Sequence, residues 1–146
     1  MNSIEKGNLL LAALSKYLNH PVVELSEGSH SSITVGHSKI TFSLSECRQY
    51  LLSQCPIASL PRDQRCSSIL RQLASSNYSS SGMGGVLGLE KTTGQIWLTY
   101  RFPLEREKPE SFLKCVAIQT GLAEYWLKVM ITTPEFDYPM IKIILV

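Results

Sequence analysis

Charged side chains are scarce in this 146-residue chain. They make up 18% of it, against roughly 25% in an average globular domain. They also nearly cancel, with 14 basic and 12 acidic residues and a net charge of +2. A surface so thinly charged leaves apolar area that a lone protomer covers poorly, which points to a homodimer or a standing partner. The basic residues are dispersed, and the densest cluster, Arg101 to Lys108, alternates in sign. Nucleic-acid binders concentrate cations on one face, so no nucleic acid is expected as a partner. No apolar run reaches the roughly 18 residues of a membrane span, so no membrane is expected either. The N-terminus offers Lys6 and then only the short run Leu9–Leu14, without the cleavage site of a secretory leader.

Reactive constellations are absent as well. The four cysteines, Cys47, Cys55, Cys66 and Cys115, form no CxxC pair and no disulfide framework, which fits reduced thiols in the cytoplasm. His20, His30 and His37 lack metal-site spacing from one another and from any cysteine, so no metal is expected. Gly82-Met83-Gly84-Gly85 resembles a phosphate loop only in its glycines. It lacks the Lys-Ser/Thr pair and leads into a strand, where no helix dipole helps. Gly84 and Gly85 are read instead as positions of positive φ or close packing. Serine is plentiful, yet no G-x-S-x-G elbow occurs. No catalytic residue and no cofactor is expected, and the chain is read as a non-enzyme.

What is present is clear patterning. Leu10, Ala13, Leu14, Tyr17 and Leu18 follow helical spacing between Asn2, a cap with Glu5 three residues on, and Pro21 just beyond Asn19. Leu9 and Leu11 lie off that stripe, leaving room for a second contact. Val23/Leu25, Ile33/Val35 and Ile40/Phe42/Leu44 alternate with polar residues, which predicts three antiparallel strands. Glu46–Leu60 reads as a helix or as a fourth strand ending at Pro56. Pro61 opens a helix whose stripe is Cys66, Ile69, Leu70 and Leu73. A Ser/Gly loop over 75–85 ends it. Val86, Leu87 and Leu89 form a strand, 90–94 a hairpin loop, and Gln95–Phe102 the return strand. There Ile96, Leu98, Tyr100 and Phe102 oppose Trp97, Thr99 and Arg101. A long helix follows from Pro109 to about Thr132, with Phe112, Val116, Ala123 and Leu127 on one side and Leu122, Trp126 and Val129 adjoining.

The class is therefore α+β, an antiparallel twisted sheet with three helices in the order α-β-β-β-(β)-α-β-β-α. A chain of this length buries roughly two-thirds of its unfolded surface, enough for one domain over 1–146. The tail 134–146 is unusual, because Met140–Val146 is an apolar, β-prone run. Left exposed, such a run invites aggregation, so it is expected to pair with a sheet edge of its own chain or of a dimer mate. Trp97 sits on the polar face of its strand. It is read either as an interface anchor or as a residue covered by the second or third helix.

The segment from Asn77 to Glu105, NYSSSGMGGVLGLEKTTGQIWLTYRFPLE, carries a family likeness. An Asn near a helix end leads through glycines into a strand, a turn and a Phe-Pro-Leu exit. This resembles the class I chaperones of bacterial type III secretion, the Tir chaperone or CesT-like family. The likeness extends from the Leu-rich first helix to Trp126 and is sharpest between Ile69 and Leu104. It implies a cytoplasmic bacterial homodimer that binds the N-terminal segment of a secreted effector in extended form and delivers it to the secretion apparatus and its ATPase. It also implies an effector surface of Leu9, Leu11, Leu14, Val23, Leu25, Ile33 and Val35, and a dimer interface of Cys66, Ile69, Leu70, Leu73, Val86, Leu87, Leu89 and Trp97. The mild basicity departs from the family's usual acidity. The alternative is a dimeric regulatory module of the same fold that sequesters another bacterial protein, such as a transcriptional activator.

Overall fold

Asn2 caps the first helix, α1 (Ser3–Leu18), by accepting the Glu5 backbone N–H at 2.8 Å, and Asn19 closes it in a left-handed conformation at φ 51. A computed structural model describes residues 1–78 and 85–132 of the chain. After α1 come β1 (Ser31–Val35), β2 (Ser38–Leu44), β3 (Tyr50–Ser59), α2 (Arg65–Tyr78), β4 (Val86–Leu89), β5 (Gln95–Pro103) and α3 (Pro109–Thr132). The five strands form one antiparallel sheet in the order β1-β2-β3-β5-β4. The α+β class and the three-helix order are as the sequence implies.

Three expectations need correction. Val23–Leu25 is not a strand. Its alternation is that of a strand, but Asn8 of α1 takes both backbone groups of Leu25, accepting the N–H at 2.7 Å and donating to the C=O at 3.1 Å. Gly7 makes room beside it, since a Cβ there would lie 3.1 Å from Leu25 Cδ1. A helix side chain thus does what a neighbouring strand would do. The ambiguous segment is β3, and it runs past Pro56 to Ser59 through a register shift between Pro56 and Ala58. Proline is tolerated there because β2 pairs only as far as Gln54, leaving the strand one partner. Finally, α2 begins at Arg65 rather than Pro61. The capping residue is Asp63, whose carboxylate accepts the Arg65 N–H at 2.9 Å.

Strict alternation on the strands gives the sheet one covered face. Ile33 opposes Ile40, Phe42 opposes Ser53, Leu51 opposes Phe102, and Cys55 and Leu87 both oppose Leu98. All of these are buried. Helix α3 packs across this face. Its Phe112 ring sits edge-on to Phe102 at 4.8 Å and tilted against Phe42 at 5.9 Å. Leu127, grouped from sequence on one side with Phe112, Val116 and Ala123, is partly exposed where those three are buried, and Gln119 takes the central position. Gln119 is fully buried. Its amide donates to the carbonyls of Ser53 at 3.0 Å and Leu98 at 3.1 Å and accepts from the Ser53 hydroxyl. One side chain therefore bolts α3 to β3 and β5.

Gln119→Leu keeps the volume but strands the Ser53 hydroxyl in the core. It is expected to lower the unfolding free energy by about 2–4 kcal/mol, seen as a lower urea midpoint at unchanged slope. Adding Ser53→Ala to that background restores part of the loss, because the orphaned group goes too.

Candidate partner-binding site

The two edges of the sheet differ, and the difference is set by side chains. At the β4 edge, Asn77 near the end of α2 donates its amide to Leu87 C=O at 2.7 Å and accepts Leu87 N–H at 3.0 Å. This repeats the Asn8–Leu25 arrangement and closes the edge at its centre. Gly85 holds the strand entry tight, since a Cβ there would fall 2.4 Å from Tyr100 Cε1. Among the described residues, no backbone hydrogen bond reaches the outer edge of β1. Alternate N–H and C=O groups of that strand face outward, as an edge strand requires.

The residues assigned to an effector surface separate into two sets. Leu9 and Val23 are 53% and 68% exposed, and Val35 is half-buried. Leu11, Leu14, Leu25 and Ile33 are buried in the protomer core: Leu11, expected off the α1 stripe, joins Leu10 and Leu14 on the buried face of that helix, while Leu25 comes from the segment after α1 and Ile33 from β1. Leu11 still forms part of the floor of a shallow groove of about 300 Å³ between α1 and residues 22–24, lined also by Asn8, Ala12, Ser15 and Val22.

The residues assigned to a dimer interface divide likewise. Ile69, Leu73 and Leu87 are buried, whereas Leu70, Val86 and Leu89 are 39%, 59% and 41% exposed. Cys66 and Trp97 are half-buried. Trp97 lies on the sheet face opposite the helices, beside Gln54, Gly88 and Thr99, so none of the described helices covers it. Its indole N–H donates to Glu90 at 3.3 Å. On the same face Arg101 stacks over the Tyr50 ring, 4.8 Å from its centroid. Sequence reasoning missed the roles of Asn8, Asn77 and Gln119. For Asn77 the available signal was an amide residue at the end of a helix that leads into a strand, and for Gln119 an amide at helical spacing from Phe112, Val116 and Ala123; Asn8, inside α1, gave no such signal.

The electrostatics are local. The ion pair of Lys6 with Glu105, at 2.5 Å, ties the start of α1 to the turn after β5 and holds that carboxyl below its usual range. Arg65 does the same for Asp63. Burial raises the thiols of Cys55 and Cys115, which suits small core hydrophobes better than nucleophiles. Among the described residues, no three His, Cys, Asp or Glu side chains cluster as metal ligands, and no helix is long and apolar enough to cross a membrane.

The model of the Tir chaperone protein (CesT) family matches residues 9–127. The chain belongs to that family. A chain of the ExsC–ExsE complex superposes with a TM-score of 0.75 at 24% identity, covering 89% of this chain and 97% of that one. A chain of the HopA1–SchA chaperone–effector complex gives 0.67 at 18% identity, with 84% and 94% covered. A chain of the ExoT–SpcS complex from Pseudomonas aeruginosa gives 0.62 at 18% identity, with 86% and 98% covered. These likenesses establish the shared fold. No curated protein matches the sequence.

Two measurements probe the β4 edge. Gly85→Ala has no space against Tyr100 and is expected to lower stability by about 1–3 kcal/mol in urea unfolding. Burial also pushes the Tyr100 hydroxyl up to about 12, against about 10 for an exposed phenol. The contribution of the neutral phenol is complete below about pH 10 and lost as pH climbs to about 12. Unfolding free energy is therefore expected to fall across that window, and less steeply in Tyr100→Phe.

Proposed function

We propose that this protein is a cytoplasmic chaperone of bacterial type III secretion. It works as a homodimer, binds the N-terminal segment of an effector in extended form and keeps it competent for delivery to the secretion ATPase. The observation that carries this reading is the asymmetry of the sheet. One edge is closed by Asn77 and flanked by exposed Leu70, Val86 and Leu89. The other is open at β1, with exposed Leu9 and Val23 on α1 and on the segment beyond it. The family assignment, and relatives of the same fold that were solved as chaperone–effector complexes, support it. The work is binding, with no bond made or broken in the client.

Magnitudes say which contacts matter. Ordering five client residues against β1 costs about 5–10 kcal/mol of backbone entropy. The three or four main-chain hydrogen bonds gained return only about 1 kcal/mol each. The surplus has to come from apolar burial, at about 25 cal/mol per Å². Main-chain pairing thus sets the path of the client, and contacts such as Leu9 and Val23 set its affinity. At the β4 edge the closed backbone disfavours a continuous sheet between protomers. The homodimer forms there by side-chain packing of Leu70, Val86 and Leu89, with Trp97 beside them on the outer face.

Co-expression pull-down with mass-spectrometric identification of the bound protein tests the reading. A captured disordered effector segment supports it, and capture of folded partners only would favour the regulatory alternative. Leu9→Asp and Val23→Asp are each expected to weaken client binding by about tenfold or more, with the dimer intact by sedimentation. Leu70→Asp and Val86→Asp are expected to give folded monomers. Leu14→Asp serves as the contrast, because it places a charge in the core and abolishes the fold itself. Full client affinity in the Leu9 and Val23 variants would defeat the assignment of this surface.

A further inference from the structure

Gly88 stands inside β4 with no reason for a glycine in its own protomer. Its φ lies outside the left-handed region, and a Cβ built on it would meet nothing within 4 Å. Glycine weakens a strand interior, and where its own chain does not demand it, it marks a place that another surface approaches closely. Two adjoining hollows meet over Gly88, on the sheet face that none of the described helices covers. One, of about 460 Å³, is walled by Trp97, Leu89 and Glu90. The other, of about 440 Å³, is walled by Val86 and Arg101, and Thr99 belongs to both. Among the described residues, neither Glu90 nor Arg101 makes an ion pair.

We propose that these hollows seat the same face of a second copy of this chain, an inference that rests on the homodimer reading and gives that dimer its centre. The surface is self-complementary about the Leu87–Leu98 pair. Trp97 stands one residue to one side of that level and Thr99 one residue to the other. Glu90 is held level with Gln95 by its N–H on that carbonyl at 2.9 Å, so it stands three residues out, as Arg101 does on the far side. A twofold axis lying between two such faces and crossing the strands at this level exchanges the ends. It lays the Trp97 ring of one copy in the hollow of Val86, Gly88 and Thr99 of the other, and each such contact occurs twice. The same operation brings Glu90 to the end where Arg101 stands, displaced by one strand spacing of about 5 Å, which an arginine side chain spans. At Gly88 the missing side chain lets the two faces close. Any other occupant would have to carry an aromatic ring and a carboxylate at this spacing, and the chain itself supplies both.

The test is self-association of the full-length protein, measured by sedimentation velocity over a range of concentrations. Gly88→Val suits a lone protomer, which has room for the side chain and gains a strand-forming residue. The dilute, monomeric variant is therefore expected to unfold in urea no earlier than the parent chain. Its dimer dissociation constant is expected to rise about tenfold or more, because the added side chain overpacks the contact. Glu90→Arg and Arg101→Glu should each weaken self-association, since the twofold then sets like charges together twice. An equimolar mixture of those two variants should regain it, because every facing pair is again opposite in sign. Recovery on mixing cannot arise within one chain. Parental self-association in Gly88→Val, or a mixture no tighter than its components, overturns the proposal and leaves the homodimer to the β4 edge and Leu70. A parent chain that stays monomeric at every concentration overturns the homodimer reading as well. Loss of client capture in Gly88→Val at unchanged self-association places the client on this face and equally overturns the proposal.

Discussion

The contact of α3 with the inner face of β2, β3 and β5 is the constraint from which the rest of this structure follows. Phe112 inserts between Phe42 and Phe102, and Gln119 fixes the depth and register of the helix by hydrogen bonds to Ser53 and Leu98. A buried amide with every bond satisfied tolerates little sliding, because a shift of one residue leaves it unpaired in the core. With α3 seated, α1 packs against α3 and β2 and α2 against β4, and no helix of the described chain remains for the opposite face. Trp97, Arg101, Tyr50 and Val86 are left facing outward as a consequence.

Two asparagines then decide what the remaining edges do. Asn8 and Asn77 each offer a carbonyl and an amide to the backbone of one residue, Leu25 and Leu87, as an adjacent strand would. The first holds the segment after α1 against the helix without making it part of the sheet, so β1 keeps an open edge. The second shuts the edge of β4. The same device therefore has opposite consequences at the two ends of the sheet, and the difference follows from which element each asparagine faces. Edge strands are otherwise a liability. Here one is blocked at Leu87 and one is left open, while Leu9 on α1 and Val23 on the segment after it stay exposed.

Most elements were legible from periodicity. The alternation of Ile96, Leu98, Tyr100 and Phe102 against Trp97, Thr99 and Arg101 gave the faces of β5, and Pro109 and Thr132 bounded α3 as read. The errors share a physical cause. Val23–Leu25 has the pattern of a strand, but pattern reports which side chains are buried and says nothing of which group satisfies the backbone. At α2, Pro61 satisfies the general rule for a helix start, but Asp63 supplies the acceptor that the first N–H groups need. Membership in a surface was the least legible feature. Leu9 and Leu11, or Leu70 and Leu73, look alike in sequence, and only the direction of the helix on the sheet tells the inward member from the outward one.

The thin charge of the chain acquires meaning in this setting. A net charge of +2 spread along the sequence gives little long-range field, and fields of that size barely accelerate encounter or discriminate among partners. Main-chain pairing at an open edge is also indifferent to sequence, since every residue but proline carries the same two groups. Neither charge nor backbone therefore selects the partner. Under the proposed function, selection falls to exposed apolar side chains such as Leu9 and Val23 and to the shape of the groove along α1. For the proposed homodimer the same logic holds at β4: with the backbone groups of Leu87 already taken by Asn77, recognition of a second protomer would rest on Leu70, Val86 and Leu89, on a strand set by Gly85 and Tyr100.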